Sequence, residues 1–470
     1  MKSKMAGAAR IIATTVTIAT IITGLQFNVA LAVEKKTNAA LEVPVAESDK
    51  IRNAYMAAPH ASATAKPAAA SPALTKAWKS YYATLDEMRA LLEKSSMFLT
   101  PKNRAKAFHA MMEVQAIAYN MAVAPRMATP RISTNAGWHD DFYSMGLVGP
   151  DWYYGHMYLD GAHTYRLSGR LGENKLTLIQ VTSKPLGMEG GKTIGNYDLA
   201  NMIVAADGSY EIIIGGPKRE GNWIALDETS NCNFVFIRRL LTKYGNEDVG
   251  SNKIERLTPV GPEYYEREEF DEAAMAERIH RAEMTMRVYI KEFTIGIYDF
   301  AMAGTKNQVN TMAMAPGLTY QGASPVSRYA QGVFSIKDDE ALIVELDRAP
   351  DSVYWGFMLG DIWSRCLPFS RYQTSLNHAQ AKRDADGHYR FVVSVRDPGV
   401  ANWLDTTGHN DGEVFFRNYL TRDPVVPMVR KVKFSDLMAD LPADTEMVTP
   451  EQRQAAVQYR RDGFVKLYRE

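Results

Sequence analysis

The alternation of apolar and polar positions is sharpest between Asp384 and Arg422. There Tyr389, Phe391, Val393 and Val395 interleave with Arg390, Val392, Ser394 and Arg396. A period of two puts the first set on one face of a strand and the second on the other. Asp386-Gly387 precedes the strand and Asp397-Pro398-Gly399 follows it. Glycine accepts the positive φ of a tight turn and proline withdraws a ladder donor, so the chain reverses at both ends. A weaker copy lies upstream. Lowering each number by 179 carries Asp386-Gly387 onto Asp207-Gly208, Tyr389 onto Tyr210, Phe391 onto Ile212 and Val393 onto Ile214. The same offset sets Val414, Phe415, Phe416, Arg417, Leu420 and Thr421 on Val235, Phe236, Ile237, Arg238, Leu241 and Thr242. Asn402-Trp403 meets Asn222-Trp223 one residue out of step, as a turn of different length between fixed strands would give. Asp339 to Gly360 falls on Asp160 to Val181 without a gap. A register that survives over roughly eighty residues while side chains change is the mark of a duplicated β unit.

Helical spacing surrounds the two copies. Trp78, Tyr81, Tyr82, Leu85, Met88, Leu91 and Leu92 recur every three or four residues, and Thr100-Pro101 opens a second helix with a capping hydroxyl and a first-turn proline. Met111, Met112, Ile117, Tyr119 and Met121 give that helix an apolar face, which is core material rather than a cofactor box. A long helix is expected from Glu263 to about Phe300, with Phe270, Met275, Ile279, Met286, Ile290 and Phe293 inside. Thr449-Pro450-Glu451-Gln452 is a capping box for a last helix. The expected fold class is mainly β with flanking helices (α+β): two tandem antiparallel β-sandwich-like repeats, separated and bracketed by α-helices. The map is a signal peptide over 1–32, a flexible Ala/Pro/Ser linker over 33–75 and a helical segment over 76–136. The first β repeat follows over 137–257, helix and linker over 258–324, the second β repeat over 325–430 and a C-terminal helical segment over 431–470.

Composition narrows the class. Lys2, Lys4 and Arg10, the apolar run Ile11 to Ile22 and Ala30-Leu31-Ala32 read as an export signal with a small-x-small cleavage site. The run is too short to span a bilayer, so no integral membrane segment is expected after cleavage, and the location is periplasmic or secreted. The 54 basic and 54 acidic residues leave 51 against 54 once those three cations are removed. Near-neutrality without a basic stripe argues against a nucleic-acid partner. Cys232 and Cys366 suit an exported protein without making it a disulfide scaffold, and both a single bridge and two buried thiols stay open.

Leu376 to Leu420, with Val353 to Trp363 ahead of it, resembles the bacterial family called domain of unknown function 1214, in which an Asn-Trp-Leu-Asp-Thr-like turn sits between strands as Asn402 to Thr406 does. Tyr158 to Gly172 is similar to the region that usually partners it, and the likeness runs from about Trp138 to Thr421. The first copy departs: Asn222-Trp223 is followed by Ile-Ala-Leu-Asp, and Gly215-Gly216-Pro217 replaces Asp-Pro-Gly. The resemblance implies β-sandwich units with attached helices. It implies no activity and no functional residues.

Candidate chemistry gathers in one loop. His409, Asp405 and Asp411 are the candidate catalytic groups, and Arg417 at the end of the next strand, with Asn402 and Trp403, the candidate ligand-binding groups. Against this, Asp, Asn, Thr and Gly are ordinary turn residues, an arginine present in both copies suits an internal ion pair, and a repeated tryptophan suits a core plug. His139-Asp140-Asp141 with His156 and His163 matches no metal-ligand spacing. No nucleophile elbow, Walker loop, Rossmann fingerprint or Cys-His pair is present, Ser144 in Phe-Tyr-Ser-Met-Gly included. No cofactor is called for. Two classes stay open: an envelope module binding a small molecule or glycan, and an exported hydrolase or lyase that uses His409 and nearby carboxylates as acid and base.

Overall fold

The computed structural model describes residues 68–134, 143–185, 188–262, 271–315 and 326–468, with two isolated positions before them. The chain divides at Ala69/Ala70 into two compact parts, Met1–Ala69 and Ala70–Glu470; every named element lies in the latter, which contains two successive β units. The export signal, most of the linker and the His139-Asp140-Asp141 cluster lie outside the described residues.

Ser71 accepts from the Leu74 amide at 3.2 Å and Pro72 takes the first helical position, so α1 (Pro72–Lys94) starts slightly before the periodic pattern does. Thr100 caps α2 (Pro101–Ala118) through the Asn103 amide at 3.1 Å. The expected long helix is interrupted. Helix α3 (Glu272–Ile290) passes through a π segment, Lys291–Gly296, before α4 (Ile297–Gly304). Thr294 donates its hydroxyl back to the Tyr289 carbonyl at 2.8 Å, five residues earlier, which supports the wider turn. Thr449 and Gln452 exchange side-chain-to-amide bonds at the start of α5 (Pro450–Tyr468).

The first unit has strands β1 (Trp152–Leu159), β2 (Tyr165–Arg170), β3 (Thr177–Thr182), β4 (Thr193–Asp198), β5 (Ser209–Ile214), β6 (Trp223–Ile224), β7 (Asn233–Leu240) and β8 (Ser251–Arg256). The second has β9 (Ala313–Ala315), β10 (Ser327–Ser335), β11 (Glu340–Leu346), β12 (Tyr354–Gly360), β13 (Ser375–Asn377), β14 (Tyr389–Ser394), β15 (Trp403–Asp405), β16 (Asp411–Tyr419) and β17 (Met428–Lys433). The sheets are ordered β1-β7-β3-β4 and β6-β5-β2-β8 in the first unit, and β13-β12-β16-β10-β9 and β15-β14-β11-β17 in the second. Apart from β9 and the direction of listing, the order is identical. All neighbours are antiparallel except β5 with β6 and β14 with β15, a parallel contact that the alternation pattern had not indicated.

The duplication is real, but its offset is not constant. Phe391 pairs with Val344 where Ile212 pairs with Leu167, so a shift of 179 on one strand becomes 177 on its neighbour. Phe416 pairs with Phe357 and with Ala330 where Ile237 pairs with Ile179 and with Gly155, giving 178 and 175. The gapless match of Asp160 to Val181 is therefore corrected: connections of unequal length move whole strands while the pairing is kept. Trp223 and Trp403 sit opposite Ile213 and Val392, which confirms the one-residue step in the turn before them.

Each unit closes over its own apolar interior. Leu167, Ile179, Ile212 and Ile237 fill the first, and Val344, Phe357, Phe391 and Phe416 the second. The opposite faces of β1, β7, β12 and β16 carry Trp152, Tyr154, Phe236, Tyr354, Phe415 and Tyr419. These join Met88, Met111, Met286 and Ile290 of the helices in one further core. The two units thus meet through sheet faces that would otherwise be solvated, and helices seal them.

Candidate functional site

Along β16 the odd positions Glu413, Phe415, Arg417 and Tyr419 are all buried on the face toward the first unit, because side chains alternate and the other face is the sandwich interior. Arg417 lies directly across the ladder from Tyr329, and its counterpart Arg238 directly across from Tyr154. The duplication has therefore built the same Tyr–Arg couple twice. The Arg238 guanidinium stands 4.0 Å over the Phe236 ring, and the Arg417 guanidinium 5.1 Å over Phe415 and 5.8 Å over Tyr329.

The two arginines are held differently. Arg238 donates to Gln180 Oε1 at 2.9 Å. Arg417 donates Nη2 to the Leu147 carbonyl, and its Nε has no partner. The internal ion pair expected for Arg417 is thus corrected. Leu147 takes a φ of +50° after Gly146 at +79°, and both amides bond the Ser364 carbonyl, at 3.0 and 2.9 Å. That strained turn aims the carbonyl at the guanidinium. A Cβ on Gly149 would come within 2.7 Å of Arg417 Nη1 and 2.9 Å of the Tyr154 hydroxyl, so only glycine allows this approach.

Although Arg417 and Tyr329 lie deep in the molecule, they keep 8% and 9% of their surface accessible, and Tyr154 and Phe415 keep 7% and 6%. Area of this kind at depth requires a gap wide enough for a water molecule. Burial raises the Tyr154, Tyr329 and Tyr354 phenols above their usual range, so they stay protonated. Asp151 ties the units together, accepting from the Tyr354 hydroxyl and from Asn377 Nδ2, each at 2.6 Å. Burial pushes its carboxyl up to about 6. Behind it Arg460 of α5 is fully engaged, donating to Ser375 O at 2.6 Å, Ser375 Oγ at 2.8 Å, Phe369 O at 3.1 Å and the Tyr244 hydroxyl at 2.5 Å.

The residues singled out from the sequence are dispersed. His409 turns its Nδ1 to the Thr406 carbonyl at 2.8 Å and faces α2, where Lys102 Nζ donates to the Gly408 carbonyl at 3.0 Å and Lys106 lies 3.8 Å from Asp361. Burial and then Lys106 lower its pKa. Asp405 accepts from the Thr407 amide at 2.7 Å and has Asp397 and Arg453 as its charged neighbours; burial raises its carboxyl. Asp411 is exposed at the head of β16. Arg417 is six residues further on, about 20 Å at strand rise. Asn402 and Trp403 are consumed by the fold. Asn402 accepts from the Lys382 amide at 2.7 Å and donates to the Lys382 and Arg390 carbonyls at 2.7 and 3.1 Å, while Trp403 Nε1 donates to Ser394 O at 3.2 Å. Asn222 makes the equivalent bonds to Ile203 and Glu211, at 2.8, 2.7 and 3.0 Å, and Trp223 to Gly215 at 3.2 Å. The tryptophan of the second copy is a buried plug over which Arg453 stacks at 5.2 Å.

Cys232 and Cys366 are both buried and are not bridged to one another, and burial pushes the Cys232 thiol up to about 11. His156 is packed against Tyr158 and Phe234, and burial drives its pKa down to about 3; His163 lies 3.9 Å from Asp160. Among the described residues no group of three or more His, Cys, Asp and Glu stands together as metal ligands, and no helix is long and apolar enough to cross a membrane.

Tyr154 and Tyr329 were missed because the offset that aligns the arginines, 179, differs from the 175 that aligns their partners. With this geometry in view, comparison with known proteins places the second unit. Residues 338–423 match the family model for a protein of unknown function, DUF1214. The match covers β11 to β16, including Arg417, and not the first unit. An uncharacterised protein of Burkholderia cenocepacia has a similar structure, with a TM-score of 0.68 and 26% identity over 77% of this chain and 98% of that one. The VPA0106 protein of Vibrio parahaemolyticus is more distant, with a TM-score of 0.40 and 13% identity over 69% of this chain and 98% of that one. No curated protein matches the chain.

Proposed function

We propose that this is an exported small-molecule-binding protein of the cell envelope, whose ligand lies between the two β units beside Arg417 and not on the Asp405 to Asp411 loop. The observation that carries the reading is the pair of Tyr–Arg couples on the facing sheets, with accessible surface beside them deep in the molecule. Aromatic walls with a few convergent polar groups are the usual lining of a ligand site. This lining suits a small molecule better than a glycan chain. Export to the periplasm or beyond is read from residues 1–32, where a basic start, an apolar run and a small-x-small end follow in order. A hydrolase or lyase built on His409 would need an acid and a base facing one reacting centre, and His409 and Asp405 have different charged neighbours.

A thermal-shift screen of the purified protein against sugars, organic acids, sterol-like compounds and divalent metals tests this, repeated with Tyr329→Phe and His409→Ala. A compound at a hundred times its Kd stabilises the native state by about 2.7 kcal/mol. The expected result is a shift that Tyr329→Phe reduces and His409→Ala leaves intact. The reverse pattern would move the site to the loop, and an absence of any shift would remove the binding reading.

A further inference from the structure

Resting on that reading, we infer that the ligand is a small carboxylic acid with an apolar or aromatic body, its carboxylate held by Arg417 and the phenol hydroxyls around it. The first ground is charge. Arg417 is buried and, among the described residues, forms no ion pair; it bonds the Leu147 carbonyl and the Tyr154 hydroxyl, while its Nε has no hydrogen-bond partner. The ionisable groups that bear most on it are the phenols of Tyr154, Tyr329, Tyr419 and Tyr354. Asp151, the nearby carboxylate, is already engaged by Tyr354 and Asn377. A buried guanidinium whose nearby carboxylate is hydrogen-bonded to other groups is incompletely compensated, and a carboxylate that meets it side-on adds two charge-assisted hydrogen bonds.

The second ground is the balance of donors and acceptors. Gln331 Nε2 and Trp152 Nε1 are, like Arg417 Nε, buried N–H groups without a partner. Gln331 is the next residue after Tyr329 on the same face of β10 and lies across from Phe415. The Trp152 ring edge and Arg417 Nη1 both border the same point above Gly149, at 2.8 and 2.7 Å from its added Cβ. Each of these N–H groups would be satisfied by a ligand that accepts. The third ground is shape. Trp152 and Tyr419 have ring centroids 4.4 Å apart, and Tyr329 and Phe415 5.1 Å, so the walls around the charge are aromatic and suit a flat or apolar body.

Titration calorimetry with benzoate, phenylacetate and octanoate, each beside its neutral amide, and with inorganic phosphate, tests the assignment on the intact protein. At least one acid is expected to bind at least tenfold more tightly than its amide and than phosphate. Arg417→Met should erase that preference, and Tyr329→Phe should weaken the acid about tenfold by removing one donor. The comparison of acid with amide on the unaltered protein needs no variant to fold. Amides that bind as tightly as acids would overturn the anion assignment while leaving a ligand between the units. Phosphate as tight as the acids would reduce the site to an inorganic anion site and overturn the organic part. If none of these compounds binds but a neutral compound from the broader screen does, in a Tyr329-dependent way, only this inference falls; if nothing binds at all, the proposed function falls with it.

Discussion

Two parts of the molecule have been copied with equal fidelity and used in opposite ways. The Asn-Trp clip repeats donor for donor: Asn222 and Asn402 each satisfy one amide and two carbonyls, and Trp223 and Trp403 bond the carbonyls eight and nine residues before them, respectively. Every polar atom is accounted for, which is how a structural device looks in a folded chain. The Tyr–Arg couples repeat in position but not in satisfaction. Arg238 bonds Gln180, whereas the equivalent place in the second unit is Met358, opposite Phe415 as Gln180 is opposite Phe236. Arg417 is left with a carbonyl and phenols. A duplicated feature that is complete in both copies speaks for architecture, and one left incomplete in a single copy speaks for something that binds there.

This contrast can be broken experimentally. Asn402→Ala removes three buried hydrogen bonds and is expected to cost about 4 kcal/mol in urea unfolding. A loss under about 1 kcal/mol would mean that the clip is ornamental. Asp151 should give the next largest effect. Its carboxyl is raised from 3.8 to about 6 in the folded protein, so the native state holds that proton more tightly than the unfolded chain does. Its favourable contribution is complete below pH 3.8 and is lost as pH rises through 6. Asp151→Asn, which mimics the protonated acid, should therefore flatten stability between those values by up to about 3 kcal/mol. A slope that is unchanged would place the group's titration elsewhere. Asn222→Ala makes the same deletion at a more exposed site and should cost about 2 kcal/mol, roughly half the effect of its partner. Smallest of all, Arg417→Met should change the ligand-free stability by no more than about 1 kcal/mol, because the lost carbonyl bond is offset by relief of an incompletely compensated buried charge. A loss of several kcal/mol would make Arg417 a structural residue like Arg460.

Much of the fold was legible because it depended on local signals. The Asp-Gly turns at 207–208 and 386–387 both place glycine at positive φ, +81° and +91°, with the aspartate accepting from the amide two residues on. The caps at Thr100 and Thr449 held for the same reason. The site was less legible. Arg417 could be named because it repeats, but Tyr154, Tyr329 and Asp151 become its neighbours only through pairing between strands far apart in sequence, at offsets that unequal loops had blurred. Asn402 and Trp403 looked like ligand groups because asparagine and tryptophan serve loops and binding sites alike; which they serve depends on whether backbone partners lie within reach. The π segment Lys291–Gly296 gave no signal in the apolar pattern.

The clip has a consequence for how the chain can be altered. Asn402 holds Lys382 and Arg390 at once, and Asn222 holds Ile203 and Glu211, so in each copy a third segment ties the ends of a loop whose tip is Asp-Gly. Those tips are therefore the places where sequence can be inserted at least expense. With the ends already tied, each doubling of loop length adds only about 0.6 kcal/mol of closure entropy. The tip at Asp207-Gly208 is the better host, because Arg390 bonds Asp384 and Asp386 across the other one.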